Sequence, residues 1–296
     1  MRKYAFLREP LQSAVYGRVV KIMLCTVEDG VSLFTYPSLD AVQCSSDAFY
    51  NSLDELYDEW NELIDEHGWI KTADPLPGCQ QDALIPLRVR GRAVGKPEWG
   101  TFETLQGRKW VSYQPCAKAS LSADMRVLFV MDRKDYDSCT HTFSRNSARS
   151  IIIRDGKAAM VYSAKHGYYK FPGGGIEAGE SPVEAMIRET REETGLRVLP
   201  DTVKAYGMVH RVQKSDRDDS ECFVQDNYYY LCDAEDDPAD QELDAYEARE
   251  SYRLVFTDAE TAIRKNGSVQ GAPYNRMMFE REARVLALLQ AEGRLK

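Results

Sequence analysis

The sequence predicts a layered α/β fold for its second half, preceded by a smaller α+β unit. Three observations predict it. From Arg149 onward, apolar runs of strand type alternate with stretches of helical period, and mixed strands with helices on either side imply layers. Earlier in the chain, short β-rich runs surround a single helical pattern. The length, 296 residues, favours two domains. We read residues 1–118 as the α+β unit, 119–142 as a connector and 143–296 as the α/β domain.

The first strands are RVVKIMLCT (18–26) and VSLFTY (31–36), joined at Glu28-Asp29-Gly30 in a hairpin pattern. Leu53, Leu56, Tyr57, Trp60, Leu63 and Ile64 then recur at helical spacing. Ser52 and Glu55 form a capping box, and Gly68 reads as the stop. Two further strand runs follow, the second turning at Gln106-Gly107. Trp60, Trp69, Trp99 and Trp110 read as core or interface residues. RVLFVM (126–131) reads as a strand and the polar run after it as a loop. SIIIRDGKAAMVYS is two strands joined at Asp155-Gly156, a strong short-hairpin signal. Ser181 as N-cap, Pro182 at the first position, Glu184 three residues on and Gly195 as terminator delimit one helix. Two strands, a strand leading into a short helix, and a terminal helix complete the chain.

Composition narrows the function. Net charge is −9 with no long basic tract, which argues against a general nucleic-acid or anionic-membrane binder but leaves a small phosphorylated substrate open. Seven scattered cysteines without a CxxC pair read as reduced thiols, hence a cytoplasmic protein. No apolar run reaches the ~20 residues of a membrane span. A homodimer is left open.

The chemistry concentrates in FPGGGIEAGESPVEAMIRETREETGL (171–196). At 3.6 residues per turn, Val183, Ile187, Thr190 and Thr194 share one stripe, read as the core face. Glu189, Glu192 and Glu193 share another. Clustered carboxylates repel by a few tenths of a kcal/mol per pair, and a hard divalent cation relieves that. Removing one charge is therefore expected to leave stability level or slightly higher. Arg188 is placed to pair with Glu180, and the glycines allow close backbone approach. The helix alone reads as a solvated acidic helix; the whole string reads otherwise.

Gly174, Glu180, Arg188-Glu189, Glu192-Glu193 and Gly195-Leu196 stand at gaps of five, seven, two and one, and this string resembles the Nudix box of the Nudix hydrolase family. It departs at Thr190, where the family usually carries an aliphatic residue. The resemblance implies a Nudix-type α/β/α sandwich with a mixed sheet, and metal-dependent hydrolysis of a phosphoanhydride in a nucleoside diphosphate linked to another moiety. It further implies that Glu189, Glu192 and Glu193, with a backbone carbonyl of Gly173 or Gly174, bind Mg²⁺ or Mn²⁺, while Glu180 and Arg188 hold the loop. No proline or tyrosine stands where some subfamilies mark ADP-ribose or dinucleoside polyphosphates. The resemblance leaves the general base open: Glu247 and Glu250 are candidates, as are Glu192 and Glu193, and His210 is a weaker one. For substrate binding, Arg149, Tyr169, Lys170 and Phe171 are candidates, with Arg145, Lys165 and Arg211 as other nearby cations. The alternative function is a non-catalytic, Nudix-like ligand sensor reporting through the N-terminal unit.

Overall fold

The computed structural model describes residues 1–91, 100–106, 109–113, 125–270 and 276–296. They form two compact units, Met1–Ser144 with Arg211–Val224, and Arg145–His210 with Gln225–Lys296. Trp99, Gly107 and residues 119–124 of the expected connector lie outside the described residues.

In the first unit, β1 (Arg2–Ser13), β2 (Gly17–Val27), β3 (Gly30–Tyr36), β4 (Ser46–Tyr50) and β5 (Ile70–Thr72) make an antiparallel sheet in the order β4-β3-β2-β1-β5. The β2–β3 turn falls where Asp29-Gly30 places it. Helix α1 (Leu53–Trp60) starts on the Ser52 cap, whose hydroxyl accepts from the Glu55 N–H. It buries Leu56 and Trp60 in a cluster with Ala5, Ile22, Leu24 and Leu33. The sequence pattern extends the helix to Gly68, yet it stops at Trp60 and a short 3₁₀ turn, Asn61–Leu63, follows. Ile64 instead forms a β-bridge to Leu7 and joins the same cluster, so tertiary pairing overrides the local period. Trp69 is half-buried, and half-buried Trp110 lies under the Arg88 guanidinium, 4.0 Å from ring centroid to Cζ. Strands β6 (Leu87–Arg90), β7 (Thr101–Gln106) and β8 (Lys109–Ser112) form a small meander. β9 (Val127–Asp132) and β10 (His141–Ser144) complete the unit.

The second unit contains β11 (Ser147–Ile151), β12 (Ile153–Arg154), β13 (Lys157–Ser163), β14 (Tyr168–Lys170), β15 (Gly173–Gly175), α2 (Pro182–Thr194) and α3 (Ala245–Glu250). It also holds β18 (Tyr252–Thr257), α4 (Ala259–Gly267) and α5 (Arg276–Ala291). Strands β16 (Lys204–Lys214) and β17 (Glu221–Leu231) are divided between the units at Arg211 and Val224. The fold is mixed α/β. One sheet runs β15-β11-β17-β16-β9, with β10 and β11 parallel to β17 and β15 antiparallel to β11. A second sheet joins β12, β13, β14 and β18. Helix α2 packs on β11 and β15, while α4 and α5 pack on each other and on β14. The β12–β13 turn has positive φ at both Asp155 (53°) and Gly156 (77°), as a tight hairpin of this hand requires. Among the described residues, no helix is long and apolar enough to cross a membrane.

This topology makes the two-domain division testable. Residues 120–296 retain β9 and β10 beside β16 and β17, whereas 143–296 lack β9 and expose the edge of β16. The longer fragment is expected to unfold cooperatively in urea, and the shorter to be less stable or aggregate. A molten 120–296 fragment beside a well-folded full chain would refute the division.

Candidate metal and phosphate site

The α2 stretch is set by its ends. The Ser181 hydroxyl accepts from the Glu184 N–H, and the Glu184 carboxylate accepts from the Ser181 N–H, a complete capping box. Gly195 closes the helix in left-handed conformation at φ 75°. The buried face differs from the expected stripe. Ala185, Met186, Thr190, Glu193 and Thr194 are buried, whereas Val183 and Ile187 are half-buried. The helix is thus turned so that Glu193 faces inward, away from its two acidic neighbours. Thr190 lies on the buried face as expected, and its hydroxyl donates to the Ser150 hydroxyl at 2.9 Å, an internal partner that an aliphatic residue would lack.

Arg188 organises the outer carboxylates. Its Nε and Nη2 donate to Glu180 at 2.8 and 3.0 Å. Nη1 donates to Glu189 at 2.8 Å and to Glu192 at 3.1 Å, and Nη2 also reaches the Gly175 carbonyl at 3.2 Å. These five bonds match the five guanidinium donors. Glu180, first, and then Glu189 raise the Arg188 pKa further above its ordinary value. The sequence pairs Arg188 with Glu180 alone; the fold adds Glu189 and Glu192.

Each glycine of β15 has its own neighbour. Gly173 has φ 139°, and a Cβ there would collide with the Ala148 backbone. A Cβ on Gly174 would run into the Glu189 carboxylate. A Cβ on Gly175 would stand 2.9 Å from Nε of Arg145.

Glu193 is 1% exposed. It forms an ion pair with Lys170 and accepts from the Gly173 N–H at 2.9 Å. Burial pushes its carboxyl up to about 7; Lys170 and the Gly173 amide work against that, and Glu247 adds to it. Burial also raises Glu192, with Arg188 opposing it. Glu247 is buried on α3 near Glu193, and it accepts from the Tyr246 hydroxyl at 2.9 Å and the Asp244 N–H at 2.9 Å. The field of Glu247, Glu193 and Glu189 reaches that hydroxyl and, after burial, raises its pKa. Glu250 is engaged elsewhere, accepting from Ser163 Oγ at 3.0 Å and the Tyr168 hydroxyl at 2.8 Å.

Of the other expected residues, Arg149, Lys170, Phe171, His210 and Arg211 are buried, Tyr169 is half-buried, and Arg145 and Lys165 are exposed. The Arg149 guanidinium donates to the carbonyls of Phe171 (3.0 Å) and Gly173 (3.1 Å). Phe171 is fully buried against Tyr229. Lys170 is spent on Glu193, and half-buried Tyr169 packs on Tyr162 with centroids 4.8 Å apart. His210 is 2% exposed and meets Asp226 at 2.6 Å. The fold therefore gathers Glu180, Arg188, Glu189, Glu192, Glu193, Lys170 and Glu247, and holds Arg149, Phe171 and Glu250 in internal contacts. Tyr246 escaped the sequence reading; the signal was its place beside Glu247 in AYEARESY.

A divalent cation fits the donor chemistry here. The donors are hard oxygens, and Glu189 and Glu192 already converge on one cationic nitrogen of Arg188. The fit is narrower than the sequence expects. Glu193 is turned to Lys170, and among the described residues no three acidic, histidine or cysteine side chains converge closely enough to hold an ion.

Residues 144–267 match the family model of the NUDIX domain. An RNA pyrophosphohydrolase of Xanthomonas oryzae pv. oryzae (strain MAFF 311018) is 40% identical over 65 residues, 22% of this chain and 31% of the relative. The corresponding protein of Xanthomonas campestris pv. campestris (strain B100) matches to the same extent. The chain thus spans under a third of the length of these curated relatives. Among solved structures, a NUDIX hydrolase from Nitrosomonas europaea is 19% identical with TM-score 0.36, covering 49% of this chain and 90% of that one. A MutT structure from a study of Aliivibrio salmonicida and Vibrio cholerae is 20% identical with TM-score 0.33, covering 51% and 99%. No family matched residues 1–143. The family match and the Glu180–Arg188–Glu189–Glu192 network agree: this chain carries a NUDIX domain over residues 144–267.

Proposed function

We propose that the NUDIX domain hydrolyses a phosphoanhydride bond in a nucleoside diphosphate linked to another moiety, with water attacking phosphorus. The observation that carries this reading is the convergence of Glu189 and Glu192 on a single Arg188 nitrogen beside the bare β15 backbone. Glu189 and Glu192 would hold Mg²⁺ or Mn²⁺, with Glu193 as a third ligand on leaving Lys170. When bound, such an ion polarises phosphoryl oxygens and lowers the pKa of a coordinated water. Arg188 keeps the two carboxylates together and ties them to Glu180 at the end of the loop, next to the Ser181 cap. Glu247, buried beside Glu193, is the residue we assign to take the proton from the attacking water; Glu250 is satisfied by Ser163 and Tyr168 and is assigned no such role. An internal role also suits Arg149 and Phe171, leaving Tyr169 as the candidate among the four for the substrate's rim.

The test is a substrate panel with Mg²⁺: nucleoside triphosphates, ADP-ribose, nucleotide sugars, dinucleotides and, given the relatives' names, RNA carrying a 5′-triphosphate. Release of phosphate-terminated products from any of these supports hydrolysis and names the substrate. Tight binding without turnover favours the sensor reading instead.

A further inference from the structure

Arg188 has no donor left for a substrate, because all five are used within the protein. Arg145 is its opposite. It is exposed, and its guanidinium makes no hydrogen bond or ion pair among the described residues. Its backbone is fixed, since its carbonyl accepts from Gln225 Nε2 at 2.9 Å and it stands two residues before β11. The guanidinium lies close against Gly175, where a Cβ would be 2.9 Å from Nε and 3.0 Å from Nη2. A glycine here is what lets the cation approach the loop backbone.

The strand register adds a second donor. The Ser150 N–H donates to the Pro172 carbonyl and the Ile176 N–H to the Asn146 carbonyl, so alternate residues of β15 are paired into the ladder. Gly173 and Gly175 are the others, and their polar groups point out of the sheet edge. Two observed bonds agree: the Gly173 N–H donates to Glu193, and the Gly175 carbonyl accepts from Arg188. By the same register the Gly175 N–H points outward, on the residue whose Cβ would meet the Arg145 guanidinium. Successive strand residues face opposite sides, so Glu189 against Gly174 and Arg145 against Gly175 flank the strand with opposite charge.

We propose that the Arg145 guanidinium and the outward Gly175 N–H form an anion subsite that grips a phosphate of the substrate across β15 from the Glu189–Glu192 carboxylates. The inference rests on the hydrolase reading above and deepens it. Carboxylates repel a phosphate chain, and a forked cation beside a backbone amide supplies the bidentate attraction that offsets this.

The test uses the full chain and inorganic pyrophosphate with Mg²⁺, followed by titration calorimetry. Arg145→Gln is expected to weaken pyrophosphate binding by about tenfold or more, and Arg145→Lys by less, since lysine keeps charge but not the fork. Gly175→Ala should weaken it too, by pushing the guanidinium off the loop. Thermal stabilisation by Mg²⁺ alone should be unchanged in Arg145→Gln, which separates phosphate grip from metal binding. On any panel substrate that is turned over, the loss in kcat/KM should appear mainly in KM. Arg145→Gln binding pyrophosphate within twofold of the wild type overturns the subsite, as does a wild type that does not bind pyrophosphate. Turnover of the panel by the wild type is read separately, so the hydrolase reading can survive the loss of this one.

Discussion

Glu193→Gln is expected to lower turnover by roughly 10²-fold or more while leaving the protein as stable as before, or more so, at pH 8. The magnitude is that of losing a metal ligand or acid–base group. The stability direction comes from the site. Glu193 is 1% exposed, and burial raises its carboxyl from 4.5 to about 7 despite Lys170 and the Gly173 amide. Between those two values the folded state binds more protons than the unfolded state, so this group's contribution to stability falls as pH rises from 4.5 to 7. Glutamine stands in for the protonated form and removes that slope. Its one amide oxygen can accept from Lys170 or from the Gly173 N–H but not from both, a cost set against the removed burial of a charge. Stability is measured by urea unfolding between pH 5 and 8, and turnover on whichever panel substrate is cleaved. Glu184→Gln is the control, because Glu184 is exposed and glutamine serves equally at that capping position. Wild-type turnover in Glu193→Gln, or a marked loss of stability at pH 8, would refute the assignment of this carboxylate to function.

That prediction was only half visible in the sequence. Removing a charge from the glutamate face predicts level or rising stability in the sequence, and the structure leads to the same prediction by a different cause. Repulsion among three exposed carboxylates is the wrong account, because Glu193 is buried and Arg188 neutralises the other two. Helical spacing alone could not show this. The apolar stripe drawn through Val183 and Ile187 differs from the buried one by about one position, and Glu193 meets its partners inside, Lys170 on β14 and the Gly173 N–H on β15. The loop–helix–glycine frame, by contrast, was legible. Its cues are local: a serine cap with Pro182 and Glu184, a left-handed Gly195, and Asp155-Gly156 in a two-residue turn. The first helix ends before its helical period does because Ile64 pairs with Leu7, more than fifty residues away, information that no local window contains. In the sequence the β15 glycines read only as permissive backbone. Their individual neighbours, Ala148, Glu189 and Arg145, come from three different segments of the chain and become evident only once these are assembled.

Glu282→Ala is expected to destabilise the protein by about 3–5 kcal/mol, the usual cost of leaving a buried charge without its partner. Glu282 is fully buried on α5, and its carboxylate accepts from Arg281 Nη2 at 2.6 Å and from the Phe171 N–H at 2.9 Å. Arg149 Nε lies 3.7 Å away. Removing the carboxylate would leave Arg281, itself 1% exposed and also bonded to Asn227, in the interior with an unbalanced charge. It would also orphan the Phe171 amide, two residues before the β15 glycines, so the damage should reach the site. Burial alone would raise the Glu282 pKa, but Arg281 and Arg149 outweigh it and hold the carboxyl below its ordinary value. The sign is therefore opposite to that of Glu193. The folded state binds fewer protons than the unfolded one, so this stability is present above the unfolded carboxylate value, 4.5, and is lost as pH falls through the lower folded value. Urea unfolding of the wild type and Glu282→Ala should accordingly differ most near neutral pH, with the gap narrowing in acid. Should the variant prove too unstable to purify, Glu282→Gln, which keeps the shape and a hydrogen bond to Phe171, should show a smaller loss with the same pH dependence. In the sequence, Glu282 passes for one more surface charge in NRMMFEREARVLALLQAE, yet it lies on the stripe of Val285, Leu286 and Leu289, all fully buried. A glutamate on the apolar side of a helix calls for an internal cation, and here Arg281 and Arg149 supply it. A loss below 1 kcal/mol at pH 7 for Glu282→Ala would show that the two arginines do not depend on this carboxylate.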